Sequence, residues 1–171
     1  MVNVIQKLGF EHSVGMPEGG YSREDRGTYE NLLCDVVFKD HPVMQISNAQ
    51  VDTNAVYGKY NSYTFRKLYD GGYIQVDTDL ETIDPSKRVF LNLDHCSTLV
   101  GGQPGAQINV FVDNKLAISK FNPMNGGNFI QDHADITDFL DSEASKHSIR
   151  IELDGSSFAQ YWIATLCLYQ K

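Results

Sequence analysis

Three stretches of the chain, residues 88–93, 107–112 and 148–153, alternate apolar and polar side chains. A period of two sends successive side chains to opposite faces, so each stretch predicts a strand with one buried face. Val89, Leu91, Leu93, Ile108, Val110, Val112, Ile149, Ile151 and Leu153 fall on the apolar faces and form the expected core layer. Residues 161–169 are apolar except at Thr165, as expected of a strand covered on both faces. Further strands are predicted at 32–38, 43–47, 63–65, 72–76 and 116–118, separated by breaks such as His41-Pro42. Asp113-Asn114 predicts a tight hairpin, because Asp and Asn tolerate left-handed backbone. Residues 135–140 are too short for a full helix. They predict one turn capped by Asp135, with Ile136, Phe139 and Leu140 on a shared face.

About eight to ten strands with turn signals between them predict an all-β chain, an antiparallel β-sandwich of the jelly-roll type. The length of 171 residues suits one domain spanning 1–171. Residues 15–27 carry Pro17, four glycines and five charges and read as a long loop, giving an N-terminal arm over about 1–30. Residues 2–10 are a candidate for a short edge strand.

The run Ala134-Asp135-Ile136-Thr137-Asp138-Phe139-Leu140, the strand His147-Ser148-Ile149-Arg150-Ile151-Glu152-Leu153 and the final Tyr161-Trp162-Ile163-Ala164-Thr165-Leu166 form an ordered set. Together they resemble the end of galactose-binding-like jelly-roll domains. In that superfamily an Asp-Ile/Val-Thr-x-x-Leu turn precedes an Asn-x-Ile-x-Ile-x-Leu/Val strand. The resemblance covers residues 107–171 closely and 43–112 loosely. One departure is Ser145-Lys146-His147, where the superfamily pattern has Gly-x-Asn. The superfamily includes lectins, carbohydrate-binding modules, non-catalytic enzyme domains and a few enzymes, so the resemblance implies a fold more than a function.

Composition narrows the partners. A net charge of −8 without a Lys/Arg cluster argues against nucleic acid, whose phosphates would be repelled. No run of apolar residues is long enough for a membrane helix, and residues 1–10 lack the apolar core of a signal peptide. Cys34, Cys96 and Cys167 have no close spacing and read as free thiols in a cytoplasmic protein. A secreted mature form stays open.

Candidate chemistry lies mainly in loops. Residues 54–63 hold Tyr57, Tyr60, Asn61 and Tyr63, and residues 122–129 hold Asn125 and Asn128. Rings offer apolar faces for sugar C–H groups, and amides offer paired donors and acceptors. Trp162 is the only tryptophan, and Gln160 stands beside it. Asp77, Asp79 and Glu81 resemble the opening of a calcium loop without completing one, and otherwise read as an acidic turn. A structural calcium would be the only metal, and no other cofactor is indicated. Asp94-His95-Cys96-Ser97 is the densest reactive string, expected at a strand end or in a turn. His95 and Cys96 would then face opposite ways, leaving His95 to work with Asp132 or Asp135 as acid and base. The residues favour a non-enzymatic, lectin-like carbohydrate-binding module, with a homo-oligomer supplying avidity. The alternative is a small enzyme of lyase, cyclase or isomerase type acting on a hydrophobic or aromatic metabolite.

Overall fold

The computed structural model describes residues 11–12, 32–37, 44–45, 49–54, 56–60, 63–68, 71–80, 83–97, 106–123, 129–154 and 160–171. Among these residues the chain is all-β apart from one 3-10 turn, Thr137–Phe139. The strands are β1 (Glu11–His12), β2 (Leu32–Val37), β3 (Met44–Gln45), β4 (Ala49–Asn54), β5 (Val56–Tyr60), β6 (Tyr63–Leu68) and β7 (Tyr73–Asp79). They continue as β8 (Val89–Ser97), β9 (Ile108–Val112), β10 (Lys115–Phe121), β11 (Ile130–Asp135), β12 (Lys146–Leu153) and β13 (Tyr161–Gln170).

Two antiparallel sheets result. The larger runs β1-β11-β8-β13-β2-β3, with β6 also paired to β13 and β5 paired to β6. The smaller runs β10-β9-β12-β7-β4. The core lies between them, where every member of the expected core layer is buried. Leu91 and Leu93 come from the larger sheet, and Ile108, Val110, Ile149 and Ile151 face them from the smaller one.

Local chemistry explains the joints. Asp113 and Asn114 have φ of 48° and 63°, so the hairpin between β9 and β10 is the left-handed turn that the sequence predicts. Asp135 Oδ1 accepts the Thr137 N–H at 3.0 Å and the Thr137 hydroxyl at 2.7 Å, which sets the 3-10 turn. Thr137 Oγ1 in turn accepts the Val89 N–H at 2.7 Å, pinning the turn to the start of β8. Ile136 is fully buried, and Phe139 and Leu140 pack on the core beside it.

A β-bulge interrupts β13 between Ile163 and Thr165, opposite His95-Asp94 of β8. It shifts the alternation by one. Tyr161 and Ile163 thereby face the core with Leu166 and Leu168, while Trp162 joins a second cluster with Phe65, Cys96, Phe129 and Ala164.

The sequence reading departs from the structure in three places. Residues 130–135, read as loop, form β11, because its core-facing Asp132 breaks the apolar alternation that announces a strand. Residues 49–54 and 56–60 form β4 and β5, so Tyr57 and Tyr60 lie in a strand rather than a loop. Asp94-His95-Cys96-Ser97 forms the last four residues of β8, a strand end as the sequence reading allowed. Asp77 and Asp79 belong to β7 rather than to an acidic turn. The candidate edge strand at 2–10 and the loop at 15–27 lie outside the described residues.

Ile151 sits at the centre of the smaller sheet, paired with Val110 and Ile74 and fully buried. Ile151→Ala should destabilise the fold by about 2–5 kcal/mol in denaturant unfolding, through lost transfer energy and the cavity left behind. A loss under about 0.5 kcal/mol, the range of surface substitutions, would show that the position is not core.

Candidate functional site

The end of the larger sheet where β8 finishes and β13 begins gathers most of the candidate chemistry. His95, Asp132 and Tyr161 come from three neighbouring strands and are fully buried on the core side. His95 Nε2 lies 2.7 Å from Asp132 Oδ2, and His95 Nδ1 lies 2.7 Å from Tyr161 Oη. Burial first, then the Asp132 charge, pushes the Tyr161 phenol well above its ordinary pKa. The phenol therefore keeps its proton and donates it to Nδ1, so the ring N–H sits on Nε2 and points at the carboxylate. Phe121 stacks on His95 with ring centroids 6.0 Å apart, and Tyr161 meets it edge-on at 5.5 Å.

This chain of groups pairs His95 with Asp132, as the sequence anticipates for one of its two candidate carboxylates. Asp135 is elsewhere. It pairs with Phe90 near the opposite end of β11 and takes a 2.7 Å hydrogen bond from Arg88 Nε. Burial pushes the Asp135 carboxyl up, but the hydrogen bonds from Arg88 and Thr137 outweigh it and hold the pKa below the usual carboxylate value. Cys96, on the face opposite His95, has its thiol pushed far up by burial and by Asp94, which removes the thiolate a nucleophile needs.

On that opposite face stands an aromatic platform. Trp162 is half-buried and stacks on Phe65, with centroids 4.4 Å apart and planes 15° apart. Phe129 flanks both rings at 5.5 and 6.4 Å. Gln160 Oε1 accepts the indole N–H at 2.9 Å, and the Lys67 ammonium lies 5.7 Å from the Trp162 ring centroid. Phe65 and Lys67 belong to β6, whose hairpin partner β5 carries Tyr57 opposite Arg66 and Tyr60 opposite Tyr63. The platform thus lies beside the tyrosine strand. Asn61, Asn125 and Asn128 lie outside the described residues.

The sequence singles out Trp162 and Gln160 but not their partners. Phe65 and Lys67 become visible only through the pairing of β6 with β13. On β7, Asp77 is exposed and accepts the Gln75 amide at 3.0 Å. No group of three His, Cys, Asp or Glu residues that could hold a metal occurs among the described residues, and Glu81 lies outside them.

No protein-family model matches this chain, and no curated protein sequence does either. Solved structures do resemble it. A family GH115 4-O-methyl-alpha-glucuronidase with specificity for decorated arabinogalactans aligns with a TM-score of 0.52 at 11% identity, over 90% of this chain and 19% of its own. A family 35 carbohydrate-binding module from Clostridium thermocellum aligns with a TM-score of 0.49 at 15% identity, over 78% of this chain and 96% of its own. The CBM22-1 xylan-binding domain of Paenibacillus barcinonensis Xyn10C gives 0.46 at 11% identity, over 84% and 97%. At such identities the likeness is one of fold alone: two antiparallel sheets packed as a β-sandwich of the jelly-roll type.

Two expectations follow. Asp132→Ala strands the buried His95 and should cost about 3–5 kcal/mol, whereas replacing His95 and Asp132 together by Leu should cost less than the two single changes summed. Strict additivity in a double-mutant cycle would refute a coupled pair. Asp135 has a lowered folded pKa, so its stabilisation is complete above the unfolded value near ~4 and fades as pH falls through the folded one. Asp135→Asn should lose about 0.5–1 kcal/mol at neutral pH and converge with the parent below about pH 3.

Proposed function

We propose that the chain is a non-catalytic carbohydrate-binding domain whose ligand surface centres on Trp162. The observation that carries this reading is the half-buried indole, stacked on Phe65 and fixed by Gln160 at the end of a jelly-roll sandwich. An indole held rigid offers a flat apolar face to a sugar at little entropic cost, and neighbouring amides meet its hydroxyls. Tyr57, Tyr60 and Asn61 of the adjoining hairpin, with Asn125 and Asn128 of the segment before Phe129, complete the proposed surface. The fold likeness to carbohydrate-binding modules supports the same class. A structural calcium near Asp77, Asp79 and Glu81 and a self-associated form belong to this reading as further proposals, as do a single domain over the whole chain and a cytoplasmic location. The enzymatic alternative is weaker, because His95, Asp132 and Tyr161 are sealed away from solvent.

Trp162 is the only tryptophan, so intrinsic fluorescence reports on this surface alone. Titration across a glycan panel should change the emission with a Kd on the order of 0.1–1 mM, since exposed stacking and a few hydrogen bonds return little net energy. Tyr57→Ala with Tyr60→Ala should weaken binding at least tenfold and leave the melting temperature nearly unchanged. A panel that leaves the emission flat, while small aromatic metabolites change it, would favour the enzymatic alternative.

A further inference from the structure

The opposite end of the sandwich holds a separate feature. Val89 and Cys96, the β8 residues nearest the two ends, are seven positions apart, or roughly 23 Å of extended strand. Around Val89, the connection from β7 to β8, the 3-10 turn and the loop before β12 enclose a cleft of about 560 Å³. Leu80, Ile83, Pro85, Val89 and Leu140 make its apolar wall. That volume falls in the range of small-molecule sites.

One polar group in the lining is out of keeping with the rest. His147 is 3% exposed, and its Nδ1 lies 2.7 Å from Asp113 Oδ2. Asp113 is held firmly as an acceptor. Its Oδ1 takes the Ser148 N–H at 2.8 Å, and its Oδ2 also takes the Asp141 N–H at 2.8 Å. When the ring is neutral, a carboxylate engaged this way takes the Nδ1 proton as its hydrogen bond and leaves the lone pair on Nε2. Among the described residues Nε2 has no hydrogen-bond partner. A hydroxyl that donates to Nε2 gains a hydrogen bond there.

Charge restricts the ligand further. Asp141 and Glu143 line the cleft, Lys87 offsets only one of them, and the chain carries a net charge of −8. An anion is disfavoured there. We propose that this cleft binds a small neutral molecule with an apolar body and a hydroxyl that donates to His147 Nε2. The site is independent of the carbohydrate reading and shares no residue with it.

Phenol, toluene and benzoate serve as probes on the full chain, followed by nitrogen-15 NMR of the imidazole rings. Phenol should shift the His147 Nε2 resonance saturably. Toluene, which leaves Nε2 unpaired, should bind ~10-fold more weakly, the equivalent of one hydrogen bond. Benzoate should bind more weakly than phenol. Ala144→Phe places a ring in the cleft and should abolish the phenol response while the circular dichroism spectrum is unchanged. Trp162→Phe should leave the phenol response intact, which separates this site from the aromatic platform. Equal affinity for phenol and toluene, tighter binding of benzoate, a response that survives Ala144→Phe, or no response up to the solubility limit of phenol would each overturn the proposal.

Discussion

The pairing of β13 is the constraint on which the remaining architecture depends. Its ten residues run beside β8 over nearly their whole length, while β2 and β6 share its other edge. A strand hydrogen-bonded on both edges and covered on both faces has no exposed backbone to satisfy, so it can be almost wholly apolar. That is why residues 163–169 tolerate a single polar side chain, Thr165. It is also why both the His95 chain and the Trp162 platform are rigid. Each is built from the first residues of β13 and the last of β8.

Much of this was legible because burial on one face leaves a period of two in the sequence. Residues 149–153 show that period cleanly, 89–93 and 108–112 show it except at Phe90 and Phe111, and the core they predict is the core observed. The Asp113-Asn114 turn and the Asp135 turn were legible for a different reason, since short polar side chains there answer a local backbone need. β11 was not legible. Its Asp132 and His133 carry hydrogen-bonding duties to other strands, and no local pattern reveals a partner far away in the chain. β5 was hidden similarly, because tyrosine, glycine and lysine serve a turn as readily as an edge strand.

The candidate site divides the same way. His95 with Asp132 could be named from residue types, since a buried histidine needs a carboxylate or a hydroxyl. The choice between Asp132 and Asp135 required the register, which sets Asp132 beside Leu93 and Asp135 beside Phe90. The cleft beside His147 left no signal in sequence. Its wall draws on the β7–β8 connection, the 3-10 turn and the loop before β12, and only the fold makes them neighbours.

The bulge in β13 gives the chain an unusual sensitivity to length. With Ala164 in place, Tyr161 faces the core and Trp162 faces outward. Removing that one residue while keeping the register of Leu166 and Leu168 would exchange the two rings between faces. The indole would enter the core, and the phenol that completes the His95 chain would leave it. Substitution on the aromatic platform is thus a local change, but a single deletion here would cost the sandwich its buried network and that platform together. Side chains on the platform can change one at a time, whereas the residue count along this strand is fixed by both faces at once.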